Sequence, residues 1–242
     1  MNKIVIDNLD WDTDYFGIKC GKISIRTNEF DVKSLVSKCN EFDFVSIQNI
    51  GNSTEINRKI ACFKGAFLAD INIQFEKKIS IKQEDEKSIV IIAAEDVKTE
   101  KINKIDIEEN DFKYSKFVCD PFFKKKKGYL VYKEWLRNAC GKKNKYFVFF
   151  KDDKGCIVAY ILFSAMEKTG TIELVKVDKE YQGKNIAKKM ISAIEMYLYQ
   201  QDFSVLKVGT QLNNIPAINL YHSVGFKEIS RTSVYHFWKK VN

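Results

Sequence analysis

Residues 171–198 constrain the fold most, because a strand, a tight basic turn and a long amphipathic helix follow one another there. The segment TIELVKV (171–177) is rich in β-branched residues and predicts a strand. A strand joined to a helix by a short turn predicts an α/β fold. After the turn YQGKNIA (181–187), apolar residues recur with the spacing of one helical face, at Ala187, Met190, Ile191, Ile194, Tyr197 and Leu198.

The turn at 181–187 has the composition of a phosphate-binding turn, with one departure. The start of a helix presents unpaired N–H groups and the positive end of the helix dipole. Gly183 and Ala187 are small enough for a phosphate to approach the backbone, and three lysines between 184 and 189 supply positive charge. Asn185 stands where a glycine would be freest, and asparagine tolerates a left-handed backbone well. A polar turn that only begins a helix would have a similar sequence, so both interpretations stay open.

The rest of the chain predicts strands and helices on both sides of a charged seam, KQEDEKS, at 82–88. We therefore divide the chain into a small N-terminal α/β domain (1–88), which could contribute to the substrate side, and a larger domain (89–242). Strands are predicted at 4–6, 22–25, 44–48, 66–76, 89–95, 145–165 (a hairpin around a D-D-K-G turn), 171–177, 205–210, 226–230 and 233–238, and helices at 31–42, 96–107, 127–140, after the turn, and at 216–224.

Composition excludes several classes of protein. The 242 residues are enough to bury a core, 45% are apolar, and no apolar run approaches the roughly 18 residues that a membrane span needs. The N-terminus turns acidic after six residues, unlike a signal peptide, so we expect a soluble cytoplasmic protein. The six cysteines form no C-x-x-C pair and there are only two histidines, so we expect reduced, mostly buried cysteines and no metal site.

Positive charge is concentrated in the later part of the chain. Residues 1–92 carry a net charge of −1 and the remaining residues carry +9. A basic surface suits a polyanionic partner, but a sequence rich in Lys, Ile and Asn also uses lysine as its default surface residue. The sequence contains no motif that reads nucleic-acid bases with interleaved aromatic residues, so we expect no nucleic-acid partner.

A second motif, NNIPAINLYHSVGF (213–226), follows the strand predicted at 205–210. This motif resembles the C-terminal motif of the GNAT acyltransferase superfamily, and VKVDKEYQGKNIA resembles that superfamily's acyl-CoA motif, Gln/Arg-x-x-Gly-x-Gly/Ala. Gln182 fills the first position and Ala187 the sixth, whereas Asn185 departs from the fourth. The resemblance implies the GNAT fold, a mixed and mainly antiparallel central sheet with flanking helices and a splayed strand pair.

A narrower resemblance spans nearly the whole chain. The segments LDWDTDYFGIKCGKI (9–23), SKFVCDPFF (115–123) and the closing TSVYHFW look like those of the dTDP-fucosamine acetyltransferases. Enzymes of that family acylate the 4-amino group of a nucleotide-linked 4-amino-4,6-dideoxyhexose for cell-surface polysaccharide. The resemblance therefore implies acetyl-CoA as co-substrate, a nucleotide-sugar partner, no metal, and a possible homodimer.

The resemblance also implies where the coenzyme binds. The pantetheine arm is expected beside the strand at 171–177, where a bulge splays it from the strand at 205–210, and the diphosphate is expected at the turn. Asn214 is expected to bond the arm, although it could equally be a simple N-cap, and its side-chain oxygen can do only one of these. The expected contacts are the main chain of Val175, Lys176 and Val177, the turn residues Gln182, Gly183, Lys184, Asn185, Ile186 and Ala187, and Asn214.

Acyl transfer from a thioester to an amine needs a neutral amine, a polarised carbonyl and a proton for the departing thiolate. The resemblance implies that Tyr221, about two helical turns after Asn214, is the general acid, and a phenol with a pKa of about 10 is protonated at neutral pH. Outside this motif, a core aromatic residue whose hydroxyl finds a partner is the simpler interpretation of Tyr221. Glu173 is the candidate base, because strand alternation puts it on the face of Val175 and Val177, although a surface ion pair explains it more simply.

The acceptor pocket is the least determined part. Phenylalanines 117, 122 and 123 and lysines 116 and 124–127 could contact a nucleotide sugar, but packing and a solvated surface explain them as well. We expect both histidines, His222 and His236, to be structural. Two other functions stay open, a protein or small-amine N-acetyltransferase and a GNAT-like module that binds CoA without turnover.

Overall fold

The protein has one continuous sheet, seen in a computed structural model that describes residues 4–80 and 88–239. The seam predicted at 82–88 lies almost wholly outside the described residues. The strand order is β1-β2-β3-β10-β4-β9-β8-β7-β6-β5, and all neighbours are antiparallel except β2–β3 and β8–β9. The strands are β1 (Ile4–Asn8), β2 (Cys20–Ile25), β3 (Phe44–Ile50), β4 (Ala66–Lys78), β5 (Ile89–Ala93), β6 (Lys145–Lys151), β7 (Ile157–Met166), β8 (Thr169–Val177), β9 (Val205–Gln211) and β10 (Lys227–Trp238).

Helices cover both faces of this sheet. The longest is α8, whose apolar face is buried as its sequence period predicts. The helices of the described residues are α1 (Asp10–Phe16), α2 (Val32–Cys39), α3 (Thr54–Ile60), α4 (Thr99–Asn103), α5 (Lys116–Cys119), α6 (Pro121–Lys125), α7 (Val131–Ala139), α8 (Ile186–Gln200) and α9 (Ile215–Ser223).

The core has three parts. One cluster packs α8 and α9 on one face of β4 and β6–β9. A second lies on the opposite face, where α1 and α4–α7 pack on the sheet, and a third packs α2 and α3 on β2, β3 and the end of β10. The elements around the predicted phosphate-binding turn, β8, α8, β9 and α9, therefore share one core, and the N-terminal helices bury separate apolar surface.

β10 joins the two sequence regions that we divided at residue 88. It pairs with β3 through Thr232–Trp238 and with β4 through Lys227–Phe237, so a strand from the end of the chain lies between two strands from its beginning. Independent folding of 1–88 and 89–242 stays a prediction, but their strands share one sheet.

Some elements differ from the sequence predictions. The two predicted closing strands form one strand, β10. Pairing with β4 continues through Arg231, and the register of this pairing shifts at Ile229. The helix predicted at 96–107 is only the short α4. The helices α1, α3, α5 and α6 were not predicted, because each has seven residues or fewer and shows too few turns for a clear period.

Candidate active site

The turn before α8 has the backbone geometry that its sequence predicts. Gly183 and Asn185 both adopt left-handed conformations, with φ of 77° and 59°. The helix begins at Ile186, and the first intrahelical bond runs from the Lys189 N–H to the Asn185 carbonyl at 3.1 Å. The three preceding helical amides therefore have no intrahelical acceptor, and the Asn185 side chain does not cap them.

The side chains of the turn leave these amides open. Gln182 folds back and donates its amide to the Val177 carbonyl at 2.9 Å, and Tyr181 donates to Asp152 at 3.0 Å. The Lys184 ammonium lies 4.7 Å from the centre of the Tyr181 ring. A side chain added at Gly183 would meet nothing within 4 Å. The turn is therefore an open, positively charged helix start that fits a diphosphate.

β8 and β9 separate next to this turn. They pair only from Thr169–Ile172 to Val205–Val208, and beyond that the edge of β8 facing β9 has no partner strand in the described sheet. A bulge in the pairing of β8 with β7 lies between Ile172 and Leu174. The splayed pair and the bulge are both as the family resemblance implied, and they expose main-chain groups along one side of β8.

One of the three main-chain contacts expected along β8 faces the wrong way. The Asp178 N–H donates to Val158 on β7 at 2.9 Å. Because N–H and C=O groups alternate in direction along a strand, Lys176 also faces β7, whereas Val175 and Val177 face the gap. The Val177 carbonyl already accepts from Gln182. The prediction for Lys176 is therefore wrong, and its ammonium instead pairs with Asp111 at 2.8 Å.

Asn214 acts as the N-cap of α9. Its side-chain oxygen accepts from the Ala217 N–H at 3.3 Å, and its amide donates to the Thr210 hydroxyl at 3.1 Å. The capping interpretation that the sequence left open is thus the one the geometry supports. A contact between this side chain and the pantetheine arm would have to replace these bonds.

Tyr221 lies on α9 and points into the core that α8 and α9 share. Its side chain is 4% exposed and packs against Phe75 and Phe226, at ring-centre distances of 5.7 and 5.8 Å. No group in the described residues forms a hydrogen bond with its hydroxyl. Burial raises the pKa of Tyr221 above its usual value. The phenol is therefore protonated at neutral pH and free to donate.

Glu173 occupies the bulge of β8, and this changes the face on which it lies. Val175 and Val177 pack with the α8 core, whereas the Glu173 carboxylate accepts from the Lys145 ammonium at 2.6 Å. Lys145 alternates with residues of the opposite core, including Phe147. The predicted shared face is wrong, because the extra residue of a bulge breaks strand alternation. Glu173 and Tyr221 therefore lie on opposite sides of the sheet.

Sequence reasoning missed a polar cluster on that opposite side. Asp70 on β4 is half-buried, and burial raises the pKa of its carboxyl to about 6. Lys116 on α5 and Asp12 on α1 lie close enough to shift each other's pKa values. The alternation of Asp70, Asn72 and Gln74 with apolar residues was the available signal, since it marks a strand with one polar face.

His236 is structural, as expected, and is held by an acid that we did not single out. His236 and Trp238 on β10 both bond the Asp120 carboxylate, and the Phe122 N–H donates to its other oxygen at 2.8 Å. Burial raises the pKa of Asp120, but these hydrogen bonds outweigh it and lower the pKa. Burial lowers the pKa of His236, which fits a neutral ring donating from Nδ1. Phe123, fully buried beside them, packs rather than binds.

Three further observations concern the cysteines, membrane-spanning helices and metal sites. Among the six cysteines, Cys62, Cys119 and Cys156 are exposed, so the expectation of mostly buried thiols is wrong. The helices of the described ranges include none that is long and apolar enough to cross a membrane. Within the same ranges, no group of three or more His, Cys, Asp or Glu side chains could hold a metal ion.

Comparison with known proteins agrees with this architecture. The acetyltransferase (GNAT) family matches residues 109–226. The spore coat polysaccharide biosynthesis protein SpsD of Bacillus subtilis is 24% identical over 133 residues, which cover 55% of this chain and 46% of SpsD. Human N-acetylaspartate synthetase is 29% identical over 83 residues, 34% of this chain and 28% of that protein. The chain thus spans less than half the length of these curated relatives.

Solved structures share the fold over most of the chain. A GCN5-related N-acetyltransferase from Sphaerobacter thermophilus aligns over 99% of this chain and 78% of its own, with a TM-score of 0.64 at 14% identity. Another from Kribbella flavida aligns over 91% of this chain and 82% of its own, with a TM-score of 0.53 at 11% identity. Residues 109–226, just under half of the chain, therefore match the acetyltransferase (GNAT) family, and the chain as a whole has the GNAT fold.

Proposed function

We propose that the protein moves an acetyl group from acetyl-CoA to the 4-amino group of a nucleotide-linked 4-amino-4,6-dideoxyhexose. The observation that carries the proposal is the gap between β8 and β9. The gap lies next to the open amides of the α8 turn, and Tyr221 belongs to the same apolar core as Val175 and Val177. These features provide the contacts that a diphosphate, an amide-bearing arm and a departing thiolate each need.

The donor would be held mainly by main-chain groups. The amides of Ile186 and Ala187 and the positive end of the helix dipole would bind the diphosphate, with Lys184 close by. Val175 turns its N–H and C=O into the gap, where they can pair with the amides of the arm. The side chains of Gln182 and Asn185 lie clear of these amides, so no rearrangement of the turn is needed.

Tyr221 would give its proton to the departing thiolate. Its buried ring is fixed by two aromatic neighbours, so the hydroxyl needs little ordering during the reaction. Glu173 stays the candidate base, on the other side of the sheet. Because Lys145 already donates to its carboxylate, Glu173 would have to accept a proton through its second oxygen or a water. Glu173→Gln should then lower kcat/KM about 10²-fold or more, and an unchanged value would leave it a structural ion pair.

The sugar acceptor rests on two lines of support. The sequence resemblance to dTDP-fucosamine acetyltransferases extends through α5 and also through α1, which lies outside the region of the family match. SpsD, by its name, belongs to polysaccharide biosynthesis. The similarity to N-acetylaspartate synthetase supports a second candidate, a small-amine N-acetyltransferase with the same donor site.

An acceptor panel tests the proposal. The full chain is incubated with acetyl-CoA and dTDP- or UDP-linked 4-amino sugars, aspartate, polyamines or peptides, and thiol release is followed. We expect the highest kcat/KM with dTDP-4-amino-4,6-dideoxygalactose. Turnover on aspartate, polyamines or peptides alone would contradict the sugar proposal. Acetyl-CoA binding without turnover on any acceptor would favour a CoA-binding module instead.

A further inference from the structure

The sheet face opposite α8 carries an open polar strip along β4 and β9. Ile73 and Phe75 are buried under α8, so the alternate residues Asp70, Asn72 and Gln74 point to the other side. All three are half-buried rather than covered. Three polar side chains on the central strands of a ten-stranded sheet are unusual, because central strands normally bury apolar side chains on both faces.

In the middle of the strip, side-chain amides of β4 lie over a glycine of β9. Gly209 on β9 pairs with Gln74 on β4 and is exposed. A Cβ at Gly209 would come within 2.4 Å of the Gln74 amide nitrogen, so this amide lies directly over the glycine. Gln74 donates to the Asn72 side-chain oxygen, and Asn72 reaches the Thr210 carbonyl at 3.4 Å. Amides both donate and accept, and so suit the hydroxyl groups of a sugar.

Lys116, which has no ion-pair partner in the part of the chain that the structure describes, lies near Asp70 at one end of the strip. Lys116 is half-buried, and burial lowers its pKa while Asp12 and Asp70 oppose that shift. Among the described residues, no carboxylate comes within 4.0 Å of its ammonium, which lies 4.9 Å from the centre of the Phe117 ring. The two acids favour the charged form without occupying its donors, so the ammonium can bind an anion.

We propose that this strip is the acceptor site, with Asn72, Gln74 and Gly209 under the sugar ring and Lys116 binding the sugar-linked diphosphate. The inference rests on the proposed function and adds the residues that would recognise the acceptor. Side chains on one face of a strand repeat about every 6.6 Å, which is close to the span from a sugar's 4-amino group to its anomeric phosphate. The amine would then reach the gap from the side opposite Tyr221.

The decisive test compares two acceptors with two variants. Lys116→Met should raise KM for dTDP-4-amino-4,6-dideoxygalactose about 10- to 100-fold, because it removes a charge-assisted hydrogen bond, but should leave kcat/KM for the free 4-amino sugar unchanged. Gly209→Ala should lower kcat/KM for both acceptors, because its Cβ displaces Gln74. Lys33→Met, at an exposed lysine on α2, is the matched control and should change neither value.

A measurement on the unmodified protein covers the case in which a variant fails to fold. Bound dTDP should protect Lys116, but not Lys33, from an amine-acylating reagent, as read by peptide mass spectrometry. Equal loss of both acceptors in Lys116→Met, an unchanged KM, or no protection by dTDP would each overturn the inference. Failure of the proposed function is a separate result, because it would show in the unmodified protein as no turnover of any nucleotide sugar.

Discussion

Tyr221→Phe separates the chemistry of the proposed reaction from its binding steps. The substitution removes one hydroxyl from a buried ring and leaves the ring contacts with Phe75 and Phe226 in place. The hydroxyl has no hydrogen-bond partner in the described chain, so its loss should change the free energy of unfolding by less than about 1 kcal/mol. The acetyl-CoA Kd should be nearly unchanged for the same reason.

The rate of the acyl-transfer step should fall far more. General acid catalysis contributes about 10²- to 10⁴-fold, or about 3–5 kcal/mol of barrier. The assay is single-turnover thiol release at saturating acetyl-CoA, because steady-state kcat also reports product release. Since burial raises the pKa of Tyr221, the unmodified enzyme should show no loss of rate from this group up to about pH 9.

Tyr199→Phe is the matched control, since it removes the same atom from a tyrosine that is 47% exposed on α8. It should leave the single-turnover rate and the acetyl-CoA Kd unchanged. A single-turnover rate of Tyr221→Phe within twofold of the unmodified enzyme would refute the acid role. A large rise in the acetyl-CoA Kd would instead make Tyr221 a binding residue.

Three further predictions concern stability. Because the pKa of Asp70 is raised to about 6 in the folded state, the folded state binds this proton more tightly than the unfolded state, and stability is lost as pH rises from about 4 to 6. Asp70→Asn should therefore raise the Tm at about pH 7.5 but not below about pH 4. An equal gain in Tm at both pH values would contradict this prediction. Asp120→Ala leaves the buried donors of His236 and Trp238 without their acceptor, at about 1–3 kcal/mol each, and should cost about 2–5 kcal/mol in urea unfolding, so a loss under about 1 kcal/mol would argue against these buried hydrogen bonds. Asn214→Ala removes an N-cap and should cost about 1 kcal/mol, whereas weaker acetyl-CoA binding at unchanged stability would restore the arm-contact interpretation.

The local part of the site could be predicted from the sequence. The order β8, turn, α8, β9 and α9 follows from hydrophobic period and turn chemistry, and the left-handed Asn185 follows from residue preference. Whether Asn214 caps a helix or bonds a ligand could not be decided from sequence, because both uses need the same oxygen.

Long-range pairing and irregular backbone could not be predicted in this way. The family resemblance implied a bulge in the strand at 171–177, but no residue pattern placed it at Glu173, where it reverses the face expected from alternation. Asp70 and Lys116 lie 46 positions apart and meet only because α5 packs on the sheet near β4. Hydrophobic periodicity reports local structure only and does not predict this long-range contact, so the polar strip can be recognised only in the folded chain.

The position of β10 has a consequence for how the chain acquires its structure. Because this strand lies between β3 and β4, it must pair with two strands whose residues are synthesised more than 140 positions earlier. Until residues 227–238 leave the ribosome, the facing edges of β3 and β4 have no partner strand and can pair with strands of other chains. Nascent protein should therefore depend on chaperones until residues 227–238 have been synthesised, and cutting after residue 226 should yield aggregates rather than a smaller folded protein.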